Sequence, residues 1–338
     1  MRYARVGVMV KISNEVLRRI VFTNLGVKDD DVIVGPKVGE DAAIIRISDK
    51  YLAMHTDPIT GAIERIGWFA INIVANDIAV RGIRPRWFLL TLLLPTDTNE
   101  DGIRKIMTDV NTALMELGGS LVGGHTEYAP GLDRVIASTT AIGVGDRYIT
   151  TSDAQVGDLI LVTKYVAMEG TAILASDFTN ELIRRGVPKD VLDRAKDLIW
   201  NLSVVKEALE LADVANAMHD PTEGGLLQGL LEIAEASGVR LRINVDGIPI
   251  LPETRYLFNT LGLDPLKSLS SGMLVATIPR SVVNAVDYKL RRLGINYSII
   301  GEVVKGEPGV DLVKDGEVLG NVSGFIEDEV MKLWHEKY

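Results

Sequence analysis

The sequence predicts a mixed α/β protein (α+β in its order of elements) built from two domains. Three observations carry this. The chain has 338 residues, and domains run to roughly 100 to 200 residues each. Short β-branched runs alternate with helical spacings of apolar residues along its length. A polar stretch, Asp146 to Gly157, interrupts that alternation after a glycine-broken strand. The expected domains are therefore 1–148 and 153–338. With 47% hydrophobic and 24% charged residues, both can bury a core.

Each element has its own reason. Behind Ser13 as N-cap, Val16, Leu17, Ile20, Val21 and Leu25 fall at helical spacing, and Gly26 closes a helix over 13–25. Val32 to Val34 is a short strand, followed by the glycine-flanked loop GPKVGEDAA. Ile44 to Ile47 and Tyr51 to Thr56 form a hairpin across Ser48, Asp49 and Lys50. Residues 67–81 read as a helix with Ile71, Val74, Ala75 and Ile78 on its apolar stripe. A strand at 86–94, a helix at 99–117, a short strand at 120–122 and a longer one at 134–145 complete the first half. The second half reopens with the strand Leu159 to Val162. Helices follow at 169–176, 189–211, 226–236, 253–261 and 281–293. Strands follow at 239–245, 273–278, 297–303 and 310–313, with a hairpin turn at Asp315-Gly316.

Composition excludes several function classes. Acidic residues outnumber basic ones 46 to 36, for a net charge of -10, which disfavours nucleic acid as the main partner. The chain has 0 cysteines, which removes disulfides, thiolate metal sites and cysteine nucleophiles. The most apolar run, Trp87 to Leu94, is far shorter than the ~20 residues that span a bilayer. The opening MRYARVGVMVKIS lacks the ~7 to 15 apolar residues of an export signal. The expectation is a cytoplasmic protein without a membrane partner.

Chemistry-bearing residues gather in a few short segments. Asp41 follows Glu40 in GEDAA, where a glycine lets backbone and carboxylate approach a ligand; a turn aspartate fits the same local sequence. Asp57 ends the strand YLAMHT before Pro58, where the pairing ladder should stop, and His55 shares its face. Asn72, Asn76 and Asp77 lie mid-helix, where such residues disfavour helix, so they hold a ligand or a buried hydrogen-bond network. In GGHTEY, Gly123 and Gly124 let the backbone approach a phosphate, and Thr126 and Glu127 can add a hydroxyl and a carboxylate to a metal site. In HDPTEGG, Thr222 can cap the next helix and leave the amides at Gly224 and Gly225 open to an anion, with Asp220 and Glu223 beside them. Carboxylates that converge repel one another unless a divalent cation neutralises them, and Mg²⁺ suits such oxygen ligands.

The ordered segments GEDAA, TDP, ANDIAVRGIRP, GGHTE, DPTEGG and EIAEASG resemble those of the ATP-binding superfamily of aminoimidazole ribonucleotide (AIR) synthetase. Within it the chain is most similar to the hydrogenase maturation proteins that make the cyanide precursor, and thiamine monophosphate kinase belongs to the same superfamily. The resemblance implies a homodimer whose N-terminal sheets pair into a barrel, and a sandwich-like C-terminal α/β domain. It implies ATP and Mg²⁺ as cofactors, and activation of an amide-like or phosphate oxygen of a small metabolite by γ-phosphoryl transfer. By matching motif, Asp41, Asp57 and Asp77 become Mg²⁺ and ATP ligands. Asn76 becomes a nucleotide contact, Gly123, Gly124 and Thr126 a phosphate loop, and Asp220, Thr222 and Gly224 further cofactor contacts. Asp57, His125 and Lys11 become the catalytic candidates, and Glu127 a metal ligand.

The departures matter as much. The chain ends MKLWHEKY, without the cysteine that carries the thiocarboxamide in the maturation proteins. The glycine-rich N-terminal segment is missing, leaving Lys11 as its substitute, and His125 stands where many members have a carboxylate. A nucleotide-binding regulator without turnover and a thiamine monophosphate kinase-like phosphotransferase are therefore alternatives.

Overall fold

The computed structural model describes residues 14–60 and 64–337; Lys11 lies outside them. Two sheets organise the described chain, one per half. The first helix, α1 (Asn14–Val16), passes at once into a single π-helical turn, Leu17–Val21, and neither buries a residue. The helix expected over 13–25 is cut short because a helix this small persists only when packing supports it.

The first sheet contains β1 (Val32–Val34), β2 (Ala43–Ile47), β3 (Lys50–Ile59), β4 (Trp87–Leu94), β5 (Ser120–Tyr128) and β6 (Ile136–Gly145), in the order β1-β2-β3-β6-β4-β5. The expected β2–β3 hairpin forms, with Ala43 opposite Met54 and Ile47 opposite Lys50, so that Lys50 belongs to β3 rather than to the turn. β3 does not stop before Pro58, because Asp57 and Pro58 still pair with Thr139 and Ser138. Beyond Met54 the strand is paired to β6 alone, so a proline without an N–H is tolerated. Two helices belong to this half, α2 (Ile66–Ala79) and α3 (Glu100–Leu117). α3 is capped by Asn99, whose Oδ1 accepts from the Gly102 amide at 2.9 Å, and it ends at Gly118 with φ 68°.

β5 corrects a second expectation. The sequence stops it at 122 and makes Gly123 and Gly124 a loop, whereas the strand continues to Tyr128, parallel to β4. The glycines serve close approach of two strands. A Cβ on Gly124, at φ 146°, would stand 1.9 Å from the Leu90 carbonyl oxygen. All of β5 is exposed at the sheet edge.

The second half holds β7 (Leu159–Thr163), α4 (Met168–Asp177), α5 (Thr179–Arg184), α6 (Lys189–Asp197), α7 (Val205–Leu211), β8 (Ala217–His219), α8 (Gly225–Ser237) and β9 (Arg240–Asn244). It continues with α9 (Pro252–Leu261), β10 (Val275–Ile278), α10 (Val283–Leu293), β11 (Tyr297–Val304), β12 (Gly309–Lys314), β13 (Glu317–Val322) and α11 (Glu329–Lys337). Its sheet runs β13-β12-β9-β11-β7-β10-β8. The β12–β13 hairpin turns at Asp315 and Gly316, both at positive φ (49° and 84°) as a two-residue turn requires.

The helix expected over 189–211 is broken into α6, a 3₁₀ turn at Leu198–Asn201, and α7. The cause is α2, every residue of which is buried. It packs against β3, β6 and α3 on one side and α7 on the other. Trp68 Nε1 donates to the Ile199 carbonyl at 2.8 Å, Asn76 Nδ2 donates to the Leu202 carbonyl at 2.8 Å, and the Val204 amide donates to Asn76 Oδ1 at 2.8 Å. A continuous helix would consume those backbone groups internally, so the chain opens there to receive α2. Trp200 adds an edge-on contact to Trp68, with ring centroids 4.8 Å apart. No helix among the described residues is long and apolar enough to cross a membrane.

Replacing Asn76 with alanine leaves the Leu202 carbonyl and the Val204 amide without partners in a buried joint. At about 1 to 3 kcal/mol for each orphaned group, Asn76→Ala should destabilise by about 2 to 6 kcal/mol in urea unfolding. A loss below about 0.5 kcal/mol would show that the joint does not depend on this amide.

Candidate functional site

Arg81 emerges from the end of α2 with no exposed side-chain surface. Its Nη1 donates to Glu40 Oε2 at 2.6 Å. Its Nη2 donates to Asp41 Oδ2 at 2.6 Å, to Thr151 Oγ1 at 2.8 Å and to the Met218 carbonyl at 2.9 Å. The Thr151 amide donates to the same Glu40 oxygen at 3.2 Å. One guanidinium therefore fixes the GEDAA loop against both halves of the chain. Charge-assisted bonds of this kind are the strong ones in proteins.

His219 ends β8 and meets the same loop. Its Nδ1 lies 2.6 Å from Asp41 Oδ1, and its Nε2 lies 2.9 Å from Glu232 Oε2. Gln228 Nε2 donates to the other Glu232 oxygen at 2.9 Å, which holds that carboxylate in place on α8. The loop approaches α8 so closely that a Cβ on Gly39, at φ 85°, would stand 3.0 Å from the Glu232 carbonyl oxygen. Burial by itself would push the His219 imidazole down, but the Asp41 and Glu232 carboxylates outweigh it and raise its pKa to about 10. His219 is an imidazolium at neutral pH.

Beside this ion-paired network lie carboxylates whose oxygens lack hydrogen-bond partners. Asp220 is 1% exposed, and neither of its carboxylate oxygens has a hydrogen-bond partner. Asp77 Oδ2 also lacks one, with His55 Nε2 3.8 Å away. Burial raises the Asp77 pKa well above the carboxylate range, and the charges of Asp220, Asp57 and Asp41 add to the rise. Burial does the same to Asp220, with Asp41 adding to it. Asp41, His219 and Asp220 bring one potential ligand atom each within 4.8 Å of one another. A protonated His219 with both nitrogens engaged offers no lone pair, so the donors in that group are the carboxylate oxygens of Asp41 and Asp220, with the Asp77 carboxyl near enough to feel their charge. Orphaned, buried, hard oxygen donors fit Mg²⁺. A cavity of about 350 Å³ opens here, lined by Asp41, Glu40, Lys37, His55, Thr56 and Phe22 among others.

The structure brings Asp41, Asp57, Asp77 and Asp220 together, and separates the rest. Asp57 pairs across the sheet with Thr139 and, through it, Leu90, which are buried on the α2 side. His125 pairs with Thr91 and, through it, Ser138, one residue out of that row. Side chains alternate along a strand, so His125 and Glu127 face away from Asp57 and Asp77 within one copy. They meet each other instead, at 3.3 Å. Gly123, Gly124 and Thr126 belong to β5 rather than to a phosphate loop. Asn76 has both ends of its amide committed to the joint with residues 202–204, and Asn72 Nδ2 donates to the Trp68 carbonyl at 3.0 Å.

Thr222 caps α8 with its carbonyl rather than its hydroxyl, accepting from the Gly225 amide at 3.1 Å. The Gly224 amide, expected to be open to an anion, donates to the Asp328 carboxylate at 2.9 Å. The C-terminal segment thus supplies its own anion. Arg81, His219, Glu40 and Glu232 escaped the sequence reading as site residues. A basic residue directly after a helix of wholly apolar, Asn and Asp composition was the signal for Arg81.

A further carboxyl, Glu169, is buried at the start of α4 and accepts from the Ser271 amide at 3.2 Å. Burial pushes it up to about 7 against the Ser271 hydrogen bonds, and the charges of Asp328 and Glu223 assist. Because its folded value exceeds the unfolded one, the folded state holds the extra proton, and stability falls as pH rises from about 4.5 through 7. The stability difference between Glu169→Gln and wild type should grow by about 1 to 3 kcal/mol across that window in favour of the variant. A constant difference from pH 4.5 to 7.5 would contradict the raised value. Arg81→Met should cost about 3 to 5 kcal/mol, because it leaves Glu40 and Asp41 buried without their cation. Adding Glu40→Gln and Asp41→Asn to that variant should recover part of the loss in chemical denaturation; strict additivity would contradict the network.

Comparison with known proteins agrees with this architecture. Residues 39–145 match the model for AIR synthase related protein, N-terminal domain, and residues 155–313 that for the C-terminal domain. A hydrogenase expression/formation protein of Methanocaldococcus jannaschii is 31% identical over 313 residues, covering 89% of this chain and 90% of its own length. The thiamine-monophosphate kinase of Pyrococcus horikoshii is 31% identical over 282 residues, covering 80% and 84%. Among solved structures, AaThiL complexed with AMPPCP and TMP gives a TM-score of 0.74 at 20% identity over 95% of this chain and 99% of that one. Hydrogenase maturation protein HypE in complex with ATP gives 0.69 at 23% identity over 93% of both. At those identities the structural likeness shows the fold, while the domain models and the curated relatives carry the kinship. The chain belongs to the AIR synthase-related family.

Proposed function

We propose that this protein is an ATP- and Mg²⁺-dependent enzyme that transfers the γ-phosphoryl group to an oxygen of a small metabolite. The observation that carries the reading is the set of buried carboxylate oxygens on Asp77 and Asp220 without hydrogen-bond partners, close to Asp41, which lines a cavity. Asp41, Asp77 and Asp220 would hold the cation. A bound Mg²⁺ would neutralise these carboxylates and the charge on the phosphate oxygens. Arg81 and the His219 imidazolium are positioning residues: they clamp Asp41 from both of its oxygens. Asp57 adds negative charge on the same side of the sheet. The acceptor oxygen attacks the γ-phosphorus, the bond from that phosphorus to the bridging oxygen breaks, and ADP leaves. Positioning and charge neutralisation supply most of the rate in such transfers.

The ligands of the solved relatives support the nucleotide, since AaThiL was solved with AMPPCP and TMP and HypE with ATP. The acceptor class is an amide-like or a phosphate oxygen. A thiamine monophosphate kinase-like transfer to phosphate is a second reading, favoured by the 31% identity to the Pyrococcus horikoshii kinase. With 0 cysteines, the chain itself offers no thiol on which to carry a substrate. A homodimer is part of the proposal. The exposed β5 edge, with Leu121, Val122 and Tyr128 at its surface, is the surface on which a second copy would add strands.

Thermal melts with Mg²⁺, with ATP and with both should show the largest shift for both together. A ligand at 100 times its dissociation constant adds about 2.7 kcal/mol. Asp220→Asn should remove the Mg²⁺-dependent part, and wild type should release ADP when thiamine monophosphate or the true acceptor is supplied. No shift under any condition would overturn the proposal; tight binding without ADP release on any acceptor would leave a nucleotide-binding regulator.

A further inference from the structure

Glu40 and Asp41 line the cavity, and a polyphosphate entering it needs a cation that the network has not already used. Arg81 and His219 are consumed by Glu40, Asp41 and Glu232. Among the described residues that line the cavity, Lys37 is the one lysine or arginine. Its side chain is exposed and makes no ion pair or hydrogen bond among the described residues. Its backbone, by contrast, is held. The Lys37 carbonyl accepts from the Glu40 amide at 3.3 Å, closing a turn whose far end is the Glu40 and Asp41 pair locked by Arg81. Pro36 restricts the chain before it, and Gly39 presses against α8 after it. A fixed base thus carries a long, free ammonium at the rim of the nucleotide cavity.

We infer that Lys37 is a phosphate-anchoring residue: its ammonium binds the phosphate chain of the nucleotide opposite the Asp41, Asp77 and Asp220 cation site. The inference rests on the nucleotide reading of the cavity. It assigns to Lys37 the part that the sequence offered to Lys11. A lysine suits this place because it acts as a mobile point charge with three donors, able to follow a phosphate chain as it moves between substrate and product.

Calorimetric titration of wild type, Lys37→Met and Lys37→Arg with ATP in excess Mg²⁺, and with adenosine, tests it. Loss of a charge-assisted contact to phosphate should weaken ATP binding about tenfold or more in Lys37→Met, leave adenosine binding unchanged, and be largely rescued in Lys37→Arg. ATP affinity within about twofold of wild type in Lys37→Met, or an equal loss for adenosine, would overturn the assignment. If Asp220→Asn still weakened ATP binding in that case, the proposed function would stand without Lys37. Failure of wild type to bind ATP at all would overturn both.

Discussion

The buried guanidinium of Arg81 is the contact on which the rest of this structure depends. Burying an ion costs several kcal/mol, and the cost is offset only when every partner is in place. Here the partners come from distant parts of the chain: Glu40 and Asp41 from the loop before β2, Thr151 from the connection between the halves, and the Met218 carbonyl from β8. Arg81 itself sits where α2 ends. The helix that carries it is pinned to the second half by Trp68 and Asn76, so the position of the guanidinium and the docking of the two halves are one constraint.

That constraint produces a charge imbalance beside it. Arg81 and His219 satisfy Glu40, Asp41 and Glu232, which leaves the Asp220 oxygens without a hydrogen-bond partner among the described residues and Asp77 Oδ2 facing His55 Nε2 at 3.8 Å. A protein could leave such carboxyls protonated, and burial pushes both in that direction. A divalent cation, as proposed, is the alternative, and it would convert the imbalance into affinity. The rigid network supplies the geometry, while the exposed face of the cavity supplies access. The N-terminus of α8 illustrates the contrast, because its amide at Gly224 already has a carboxylate, Asp328, built into the fold.

Much of this was legible in the sequence, for physical reasons that can be named. Alternation and turn residues marked most strands of both sheets, though not the three-residue β8 that carries His219, and Asn and Asp in the middle of an otherwise apolar helix announced that α2 holds something. They held two different things: Asp77 faces the carboxylate cluster, whereas Asn76 holds the opposite half of the chain. Local sequence cannot separate those outcomes. The break between α6 and α7 was invisible because its cause, α2, lies more than a hundred residues away. Gly123 and Gly124 misled for a related reason. A glycine pair signals close backbone approach, and the approaching backbone proved to be β4 rather than a phosphate. Arg81 and His219 were hidden because a single cation in a motif looks like any other until its partners are known.

The central claim is that Asp77 and Asp220 wait in a preorganised site for a divalent cation. Burial raises the pKa of both carboxyls, so protons compete with a metal for them and are released as it binds. Calorimetric titration of Mg²⁺ into the protein near neutral pH, in two buffers of different ionisation enthalpy, measures that release. The account predicts a heat that differs between the buffers, and loss of both the binding and the difference in a variant carrying Asp77→Asn and Asp220→Asn. Binding of Mg²⁺ that survives unchanged in that variant, or no binding to wild type with or without nucleotide, would contradict it.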